Sequence, residues 1–348
     1  MAVVQISRIQ VRRGQKNIGS GLPQLASGEL GWAVDTRELY IGNGAVSEGA
    51  PAVGNTKILT EFDNIFSLSE AYTYRTNDAY IVTGGDVSTP IVRSLQSRLD
   101  DRVSGRSFGL TGQTSQIATA KLQTAIDQLY LNSATKGSAQ SKIVLHLEAG
   151  EYIVDGTIYI PPYATIVGAG SGKTIIRTLT ASTNIFKTVN SSSTPGIPAT
   201  DASTTSENQA TGIRLEGLTL ETTVPNKGLI LQDCKDSLFR DVEIKGPWVS
   251  GNAVATTDVG IEMNSLSGSV ETKNNIFENC RVSGYSYGIS SDWDIHNNIW
   301  DNCSFVDCSY GFAFATNLNT LNSLAGSGQE KGPYNNTITN SRFDDINR

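Results

Sequence analysis

The N-terminal part of the chain alternates apolar and polar residues in short runs separated by glycines, a pattern typical of a small β structure. Residues 3–11 alternate in this way. Residues 28–35 and 39–44 form two more such runs, and the polar stretch between them fits a hairpin loop. We therefore predict a β-rich module over residues 1–62.

Residues 63–102 follow no single period and are predicted to be a linker. The apolar residues with helical spacing in its second half are Ile91, Val92, Leu95 and Leu99. They favour a helical piece within the linker, although they are too few to predict a coiled coil.

Residues 114–131 are predicted to form an amphipathic helix, with Thr114 or Ser115 as its N-cap. The apolar residues of its buried face are Ala118, Leu122, Ala125, Ile126 and Leu129. Short apolar runs bounded by glycine and proline follow the helix, at residues 143–147, 149–154, 156–162 and 164–170. Runs of this kind fit parallel strands that stack around a narrow core.

A sequence motif repeats toward the C-terminal end of the chain. Residues 274–282 (NNIFENCRV) return 23 residues later as 297–305 (NNIWDNCSF), and 38 residues after that as 335–343 (NNTITNSRF). Residues 236–244 occupy the same frame, and a Tyr-Gly pair repeats at the same interval of 23 residues. Such self-similarity predicts a solenoid with a coil of 23 residues and insertions in some coils.

Stacking of the coils would place equivalent motif positions above one another. Asn279, Asn302 and Asn340 would then form an asparagine ladder at a bend, with amides bonding between coils. Cys280 would lie over Cys303 inside the core. We expect all four cysteines to be reduced core residues, since none shows the spacing of a metal site. We expect no metal or other cofactor.

Two features interrupt the predicted solenoid of residues 103–348. Residues 188–212 consist almost wholly of Ser, Thr, Pro, Asn, Ala and Gly, and are predicted to form a surface excursion. No terminal cap follows the last copy of the motif, although a solenoid needs one. We therefore expect the solenoid to continue beyond residue 348.

Composition and charge exclude several classes of function. Charged residues make up 18% of the chain, the formal net charge is -7 and the pI is about 5.0, so no basic surface for nucleic acid or anionic membrane is expected. No stretch has the roughly 18 apolar residues of a membrane helix. Arg8, Arg12 and Arg13 break the short N-terminal apolar run, so we expect no signal peptide and folding in a cytoplasm.

The best local candidate for chemistry is the segment before His296. Asp292 and Asp294 are candidate catalytic residues, because paired carboxylates act as acid and base in glycan cleavage. Trp293 and His296 are candidate glycan-binding residues, and the aromatic ring of Trp293 is suited to stacking on a sugar. The alternative interpretation is a polar turn of one coil. His146 lies in an apolar run and is predicted to be a core histidine.

The N-terminal module also carries a family resemblance. Arg12-Arg13-Gly14, followed by the runs at residues 28–31 and 35–44, resembles a short domain at the N-termini of phage tail-fibre and tropism-determinant proteins. The resemblance implies an anchor on the virion. The docking residues that it implies are Arg12, Arg13, Gly14 and Trp32. The alternative is that the arginines are solvated turn residues.

A second resemblance covers the solenoid. Residues 107–112 (SFGLTG), the predicted helix and the apolar runs after it resemble the pectate-lyase superfamily, as it occurs in phage tailspikes. This implies an all-β fold, a right-handed parallel β-helix with an N-terminal capping α-helix. It also implies a homotrimer in the virion tail, assembled in the host cytoplasm, with other tail or baseplate proteins and host surface polysaccharide as partners.

Two functions follow from these resemblances. One is a structural component of a phage tail, a tailspike or baseplate-associated fibre, that attaches the virion to a host receptor. The alternative is a depolymerase, a glycosidase or lyase acting on host capsule or lipopolysaccharide. We prefer the structural role, because the order Trp293-Asp294-Ile295-His296 departs from the Trp-Ile-Asp-His element of pectate lyases.

Overall fold

The structure is a computed structural model with two compact units, residues 1–98 and 99–348. Both units are mainly β. The described residues are 11–17, 24–44, 54–61, 63, 69–76, 79–82, 91–95, 99, 102–132, 143–181, 183–265, 270–291, 295–314 and 333–346. The strand expected at residues 3–11 lies outside them, apart from Val11. None of the helices that the structure describes is long and apolar enough to span a membrane.

The first unit begins with a four-stranded sheet in the order β1-β2-β3-β4. Strand β1 is parallel to β2, and the other two pairings are antiparallel. Leu25, Ala33 and Tyr40 form its buried apolar core. The strands are β1 Arg12–Gly14, β2 Leu30–Ala33, β3 Glu38–Gly42 and β4 Asn55–Ile58.

A cluster of charges lies against this sheet. Glu38 accepts hydrogen bonds from Lys16 Nζ at 2.7 Å, Lys57 Nζ at 2.8 Å and the Tyr40 hydroxyl at 2.7 Å. These bonds, that from Lys16 first, hold the pKa of Glu38 well below its usual range. Lys57 also pairs with Asp63. The sheet is thus stabilised by ion pairs as well as by its small core.

The segment predicted to be a partly helical linker forms a second sheet in the first unit. Strands β5 Ser69–Thr76, β6 Ala79–Val82 and β7 Ile91–Ser94 make an antiparallel sheet in the order β6-β5-β7. The helical interpretation is therefore wrong for Ile91 and Val92, while Leu95 and Leu99 have helical conformation. A short apolar run fits the period of a helix and that of a strand, and here the backbone pairing with β5 stabilises the strand.

The second unit opens with the capping helix α1, Thr119–Tyr130. Leu122, Ala125 and Ile126 are fully buried on the face that closes the solenoid. Each buried Leu or Ile side chain stabilises the cap by roughly 1.5–3 kcal/mol. The N-cap is Ala118, without a side-chain bond. The prediction of Thr114 or Ser115 is wrong because the Ala118 N–H donates to Ile153 O at 2.7 Å, which ties the preceding chain to the solenoid instead.

Behind the cap, parallel strands stack into three sheets around one core, the right-handed parallel β-helix. One short 3-10 turn, Gly105–Phe108, follows β8. The long sheet contains β8 Arg102–Ser104, β9 Val144–Leu147, β10 Gly150–Val154, β12 Thr165–Gly168, β13 Thr174–Thr178, β16 Arg214–Thr222, β19 Leu238–Lys245, β22 Ile276–Glu278, β23 Arg281–Ser283, β26 Ile299–Asp301, β27 Ser304–Val306, β29 Thr337–Thr339 and β30 Arg342–Asp344. The second contains β11 Ile158–Ile160, β14 Phe186–Thr188, β17 Lys227–Gln232, β20 Val259–Asn264, β24 Tyr287–Ser291 and β28 Tyr310–Phe314. The third contains β15 Ala210–Thr211, β18 Cys234–Lys235, β21 Thr272–Lys273 and β25 Ile295–His296.

The 23-residue repeat is confirmed by the strand register, which pairs Phe277 with Trp300. Phe239, Phe277 and Trp300 stack inside the core, with ring centroids 4.8 and 5.4 Å apart along the series. Ile276 and Ile299 also stack, but they are 36% and 39% exposed because neighbouring strand residues face opposite ways. The isoleucine row therefore lies on the outer face of the sheet, and the aromatic row lies in the core.

Asparagines at the bends take left-handed backbone conformations. Asn279, Asn302 and Asn340 have φ values of 53°, 53° and 50°, a region that Asn enters more readily than most residues. Asn302 Nδ2 donates to Asn279 Oδ1 at 3.3 Å. Asn340 Nδ2 donates instead to Asp301 Oδ1, at 2.9 Å.

A second asparagine ladder, which the sequence analysis did not identify, is buried inside the bend. Asn275 Nδ2 donates to Asn298 Oδ1, and Asn298 Nδ2 donates to Asn336 Oδ1, both at 3.0 Å. The Asn275 side-chain amide also donates to Cys234 O at 2.9 Å. These bonds satisfy amides that burial would otherwise make costly.

The four cysteines are buried and have free thiols. Cys280 and Cys303 occupy equivalent positions in successive coils, next to the paired residues Arg281 and Ser304. Burial raises the pKa of Cys234 to about 12, so its thiol stays protonated. His146, by contrast, is only partly buried, because the alternation along β9 turns it outward, so the core assignment is wrong.

Candidate functional site

Three of the four candidate catalytic and glycan-binding residues, Asp292, Trp293 and Asp294, lie outside the described residues. Their catalytic and glycan-binding roles remain predictions.

His296, the fourth member of that group, is a buried residue of β25. Its side chain is 6% exposed and its ring stacks on Tyr334, with centroids 4.5 Å apart. His296 Nε2 lies 3.4 Å from Glu271 Oε2, which also pairs with Lys273 at 2.6 Å. This packing leaves the imidazole little surface for a sugar.

The residues proposed for virion docking lie together on the edge of the first sheet. Arg13 in β1 pairs in register with Trp32 in β2, and the Gly14 carbonyl accepts from Val34 N at 2.9 Å. Arg12 is exposed and lies 3.5 Å from Glu29. A surface pocket here is lined by Val11, Arg13, Trp32, Val34 and Leu39.

An open groove that carries charged side chains lies on the outer face of three successive coils. Strand β19 supplies the outward side chains of Glu243 and Lys245, and β23 supplies Arg281 in register with Glu243. Asp307 follows β27 in the next coil. The groove has a volume of about 480 Å³ and is lined by Glu243, Lys245, Gly246, Trp248, Val249, Ser250, Arg281, Ser283, Gly284 and Asp307.

Two stacked glycines form the floor of this groove. A Cβ on Gly246 would lie 2.3 Å from the Gly284 carbonyl oxygen, so no larger residue fits there without movement. Gly284 has φ +69°, which glycine tolerates without strain. Beneath them, Tyr285 is fully buried and donates its hydroxyl hydrogen to Lys245 O at 3.1 Å. The floor is therefore fixed by core packing.

The chain after the floor makes one wall. Trp248 N donates to Gly284 O at 2.8 Å, which turns the chain across the groove. The Trp248 side chain is 6% exposed and packs as part of the wall, whereas Val249 is 59% exposed. The wall thus combines a packed aromatic with an apolar residue facing solvent.

Charges of both signs face the groove. Arg281 Nε lies 3.9 Å from Glu243 Oε1, and Glu243 Oε2 accepts from the Thr219 hydroxyl at 3.1 Å. Lys245 Nζ lies 3.6 Å from Glu221 Oε1. Asp307 is exposed, and no side-chain hydrogen bond to it is found within the described part of the chain. Such a surface can bind sugar hydroxyls and ionic groups.

The groove also separates two carboxylates. The register pairs Glu243 with Arg281 and Arg281 with Ser304, so Asp307 lies two coils away from Glu243 and three residues further along the strand direction. At about 4.8 Å a coil and 3.3 Å a residue, the two backbones are roughly 14 Å apart, whereas the carboxylates of inverting glycosidases lie ~6.5–9.5 Å apart. The register therefore places both carboxylates in one groove without the spacing of an acid and base pair.

Sequence reasoning did not find this groove. The signal was present, because residues 236–244 and 274–282 share one motif frame, which aligns Glu243 with Arg281. The insertion that contains Trp248 gave no such signal.

Comparisons with known proteins found several solved structures that are similar to this chain. The chain is similar to an N-terminal fragment of gene product 12 of bacteriophage Phi29, at 15% identity and TM-score 0.44, covering 70% of this chain and 41% of that one. It is similar to tailspike protein 3 of bacteriophage CBA120, at 12% identity and TM-score 0.47, covering 87% and 50%. The gp42 tailspike of Acinetobacter phage vb_AbaP_AS12 has 12% identity and TM-score 0.40, with 97% and 58% covered.

The chain spans about half the length of these three structures. No curated protein matches it. A family model described as rhamnogalacturonase A/epimerase, pectate lyase-like, matches residues 103–333, which is more than half of the chain and contains the capping helix and the whole groove. The chain therefore belongs to the rhamnogalacturonase A/epimerase, pectate lyase-like family.

Proposed function

We propose that the chain is a structural component of a phage tail, a tailspike or baseplate-associated fibre, that binds host surface polysaccharide through the groove between Glu243 and Asp307. The tailspikes compared above suggest the class of protein, and the residues of this chain supply the support. The domains of the proposal are a virion-anchoring module at residues 1–62, a linker at 63–102 and a β-helix from residue 103.

The groove is the observation that carries the proposal. Its charged residues stand on strands of one sheet, and its glycine floor rests on a buried tyrosine, so the surface is organised before a ligand binds. Glu243, Lys245 and Arg281 offer donors and acceptors to a chain of hydroxyls, and Val249 offers apolar contact. A polysaccharide can lie along several coils of such a face.

The proposed anchor rests on the N-terminal motif and on the position of its residues. Arg13 and Trp32 line one surface pocket, and Arg12 and Gly14 lie on the same edge strand. We propose that this edge contacts another tail or baseplate protein and that the protein works as a homotrimer in the virion tail, assembled in the host cytoplasm.

Adsorption to bacteria tests the receptor function. The fluorescently labelled chain is mixed with a panel of strains, and each strain that binds it is compared with a derivative that lacks its capsule or lipopolysaccharide side chains. The proposal expects binding to disappear with the glycan. Binding that persists on the stripped cells would contradict it.

A depolymerase is the second candidate function, and two observations favour it. The family model includes a rhamnogalacturonase in its description, and Glu243 and Asp307 are two carboxylates that line one groove. Incubation of the chain with a polysaccharide that it binds, followed by measurement of reducing ends and unsaturated sugars, distinguishes the two. New chain ends that vanish in Glu243→Gln or Asp307→Asn would establish catalysis at the groove. New ends that vanish only in Asp292→Asn or Asp294→Asn would place catalysis at the sequence candidates.

A further inference from the structure

A second cavity lies far along the sequence from the groove residues, between the capping helix and the surface excursion. It has a volume of about 240 Å³. It is lined by Thr119, Ala120, Gln123, Asp127, Leu131, Thr157, Tyr159, Val189, Ser193, Thr194, Gly196, Ile197 and Pro198. These residues are mostly apolar or hydroxyl-bearing.

The excursion forms the outer wall of this cavity through a tight turn. Thr194 and Ile197 exchange backbone hydrogen bonds of 3.0 and 2.8 Å across Pro195 and Gly196. Proline followed by glycine with φ +75° is the pattern of a type II turn. The turn holds Ile197 and Pro198 over the helix.

Asp127 joins the helix to this turn. Its Oδ2 accepts the Gly196 N–H at 2.8 Å, and its Oδ1 accepts from Gln123 Nε2 at 2.8 Å. Gln123 is held in turn by Tyr159, whose N–H donates to Gln123 Oε1 at 2.8 Å. The carboxylate is therefore fixed at one side of the cavity.

The charge of Asp127 lacks a counter-ion in the part of the chain that the structure describes. The residue is 4% exposed, and no ion pair joins it to a described Lys, Arg or His. Buried carboxylates are normally paired with a cation, because neutral hydrogen bonds only partly replace the lost hydration. Among the lining residues Asp127 is the only carboxylate, and none is basic.

We propose that this cavity binds a small organic cation, a protonated amine on a body of about one six-membered ring, with the ammonium group on Asp127. The volume is below the ~300–1,000 Å³ of sites for drug-sized ligands, which limits the ligand to about one ring. The apolar lining from Val189, Ile197 and Pro198 covers the body of the ring. A carboxylate that keeps two hydrogen bonds still has lone pairs for the ammonium hydrogens.

Cyclohexylamine and cyclohexanol are matched probes, because they differ mainly in charge at neutral pH. Titration calorimetry of the whole chain is expected to show that the amine binds at least about tenfold more tightly than the alcohol, the usual range for a charged hydrogen bond. Equal affinities would overturn the proposal, and so would no binding of either probe.

Two variants and one control variant test whether the amine binds in this cavity. Asp127→Asn is expected to abolish the preference for the amine, while Glu207→Gln, an exposed carboxylate on the same excursion, is expected to keep it. Ala120→Leu adds a larger side chain at an exposed helix position that lines the cavity and leaves Asp127 unchanged. It is expected to weaken binding of the amine by about tenfold or more. If Ala120→Leu binds the amine as the unchanged chain does, the cavity is not the site.

Discussion

Different interactions stabilise each of the two compact units of the chain. In the first, the described core of the four-stranded sheet is Leu25, Ala33 and Tyr40, and the charges around Glu38 supplement it. In the second, rings and aliphatic side chains form one continuous core from the capping helix to the coil that contains Trp300 and Phe305. Charge therefore stabilises the first unit in a pH-dependent way. The solenoid is stabilised mainly by its buried core, so its outward-facing side chains are available for recognition.

The largest effect is expected inside the solenoid. Trp300→Ala removes a fully buried ring that stacks on Phe277 and should lower the free energy of unfolding of the second unit by about 3–5 kcal/mol. Ile299→Ala, at the neighbouring position with 39% exposure, should cost about 1 kcal/mol or less. Urea unfolding followed by tryptophan fluorescence and circular dichroism measures both. Similar losses for the two variants would contradict the division into inner and outer faces.

The buried asparagine ladder should show the next largest effect. Asn298→Ala breaks the bonds to Asn275 and Asn336 and removes the acceptor of the Asn275 backbone N–H and of one of its side-chain N–H groups, so we expect a loss of about 1–3 kcal/mol. Asn252→Ala, at an exposed loop position, is the control and should change stability by less than about 0.5 kcal/mol. The same urea titration distinguishes them. A loss no larger than that of the control would show that the ladder does not stabilise the coils.

The first unit should respond to Glu38→Gln. The substitution weakens the bonds from Lys16 and Lys57 and should lower the stability of this unit by about 1–2 kcal/mol, a value reduced for partial exposure. Because the folded pKa of Glu38 lies below its ordinary value of 4.5, its contribution is complete above that pH and is lost as the pH falls. Thermal melts across this acid range should show the first unit weakening before the solenoid.

The control for this prediction is Glu61→Gln, an exposed carboxylate of the same unit. It should leave the acid sensitivity unchanged. If Glu38→Gln and Glu61→Gln have identical acid profiles, the ion cluster does not set the stability of the sheet.

The smallest effect is expected on the outer face of the solenoid. Glu278→Gln breaks the ion pair in which Arg240 Nη2 lies 2.7 Å from Glu278 Oε2. The two side chains are 39% and 40% exposed. Ion pairs as exposed as this one contribute little to stability, because solvent screens the charges. Thermal melts should therefore hardly change, and a loss comparable with that of Trp300→Ala would contradict the comparison.

The sequence predicted the parts of the fold that local repetition encodes. The 23-residue interval aligned Phe277 with Trp300, and the spacing of Leu122 and Ile126 identified the capping helix. The helical interpretation of Ile91 and Val92 was wrong because Ile91 pairs with Tyr72, a partner whose position no local period reveals. The N-cap was mistaken because a backbone bond to Ile153 replaces a side-chain cap.

The sites depend on contacts that are distant along the chain. Gly196 donates a hydrogen bond to Asp127, which is 69 residues away in the sequence. The polar sequence of the excursion does not predict this contact. The groove needs Gly246 stacked on Gly284 of the next coil, and the motif frame aligns them because each glycine follows its motif copy by two residues. The wall that contains Trp248 belongs to an insertion outside the frame, so its position required the folded chain.

Binding of a recognised polysaccharide by two arginine variants tests the proposed groove most directly. Arg281 lines the groove, whereas Arg240 stands on the outer face of the same sheet and does not line it. Isothermal titration should show Arg281→Glu weakening the complex by about tenfold or more, because a charge that meets the glycan is reversed, while Arg240→Glu changes the affinity by about twofold or less. Equal affinities of the two variants, with both chains folded, would contradict recognition at the groove.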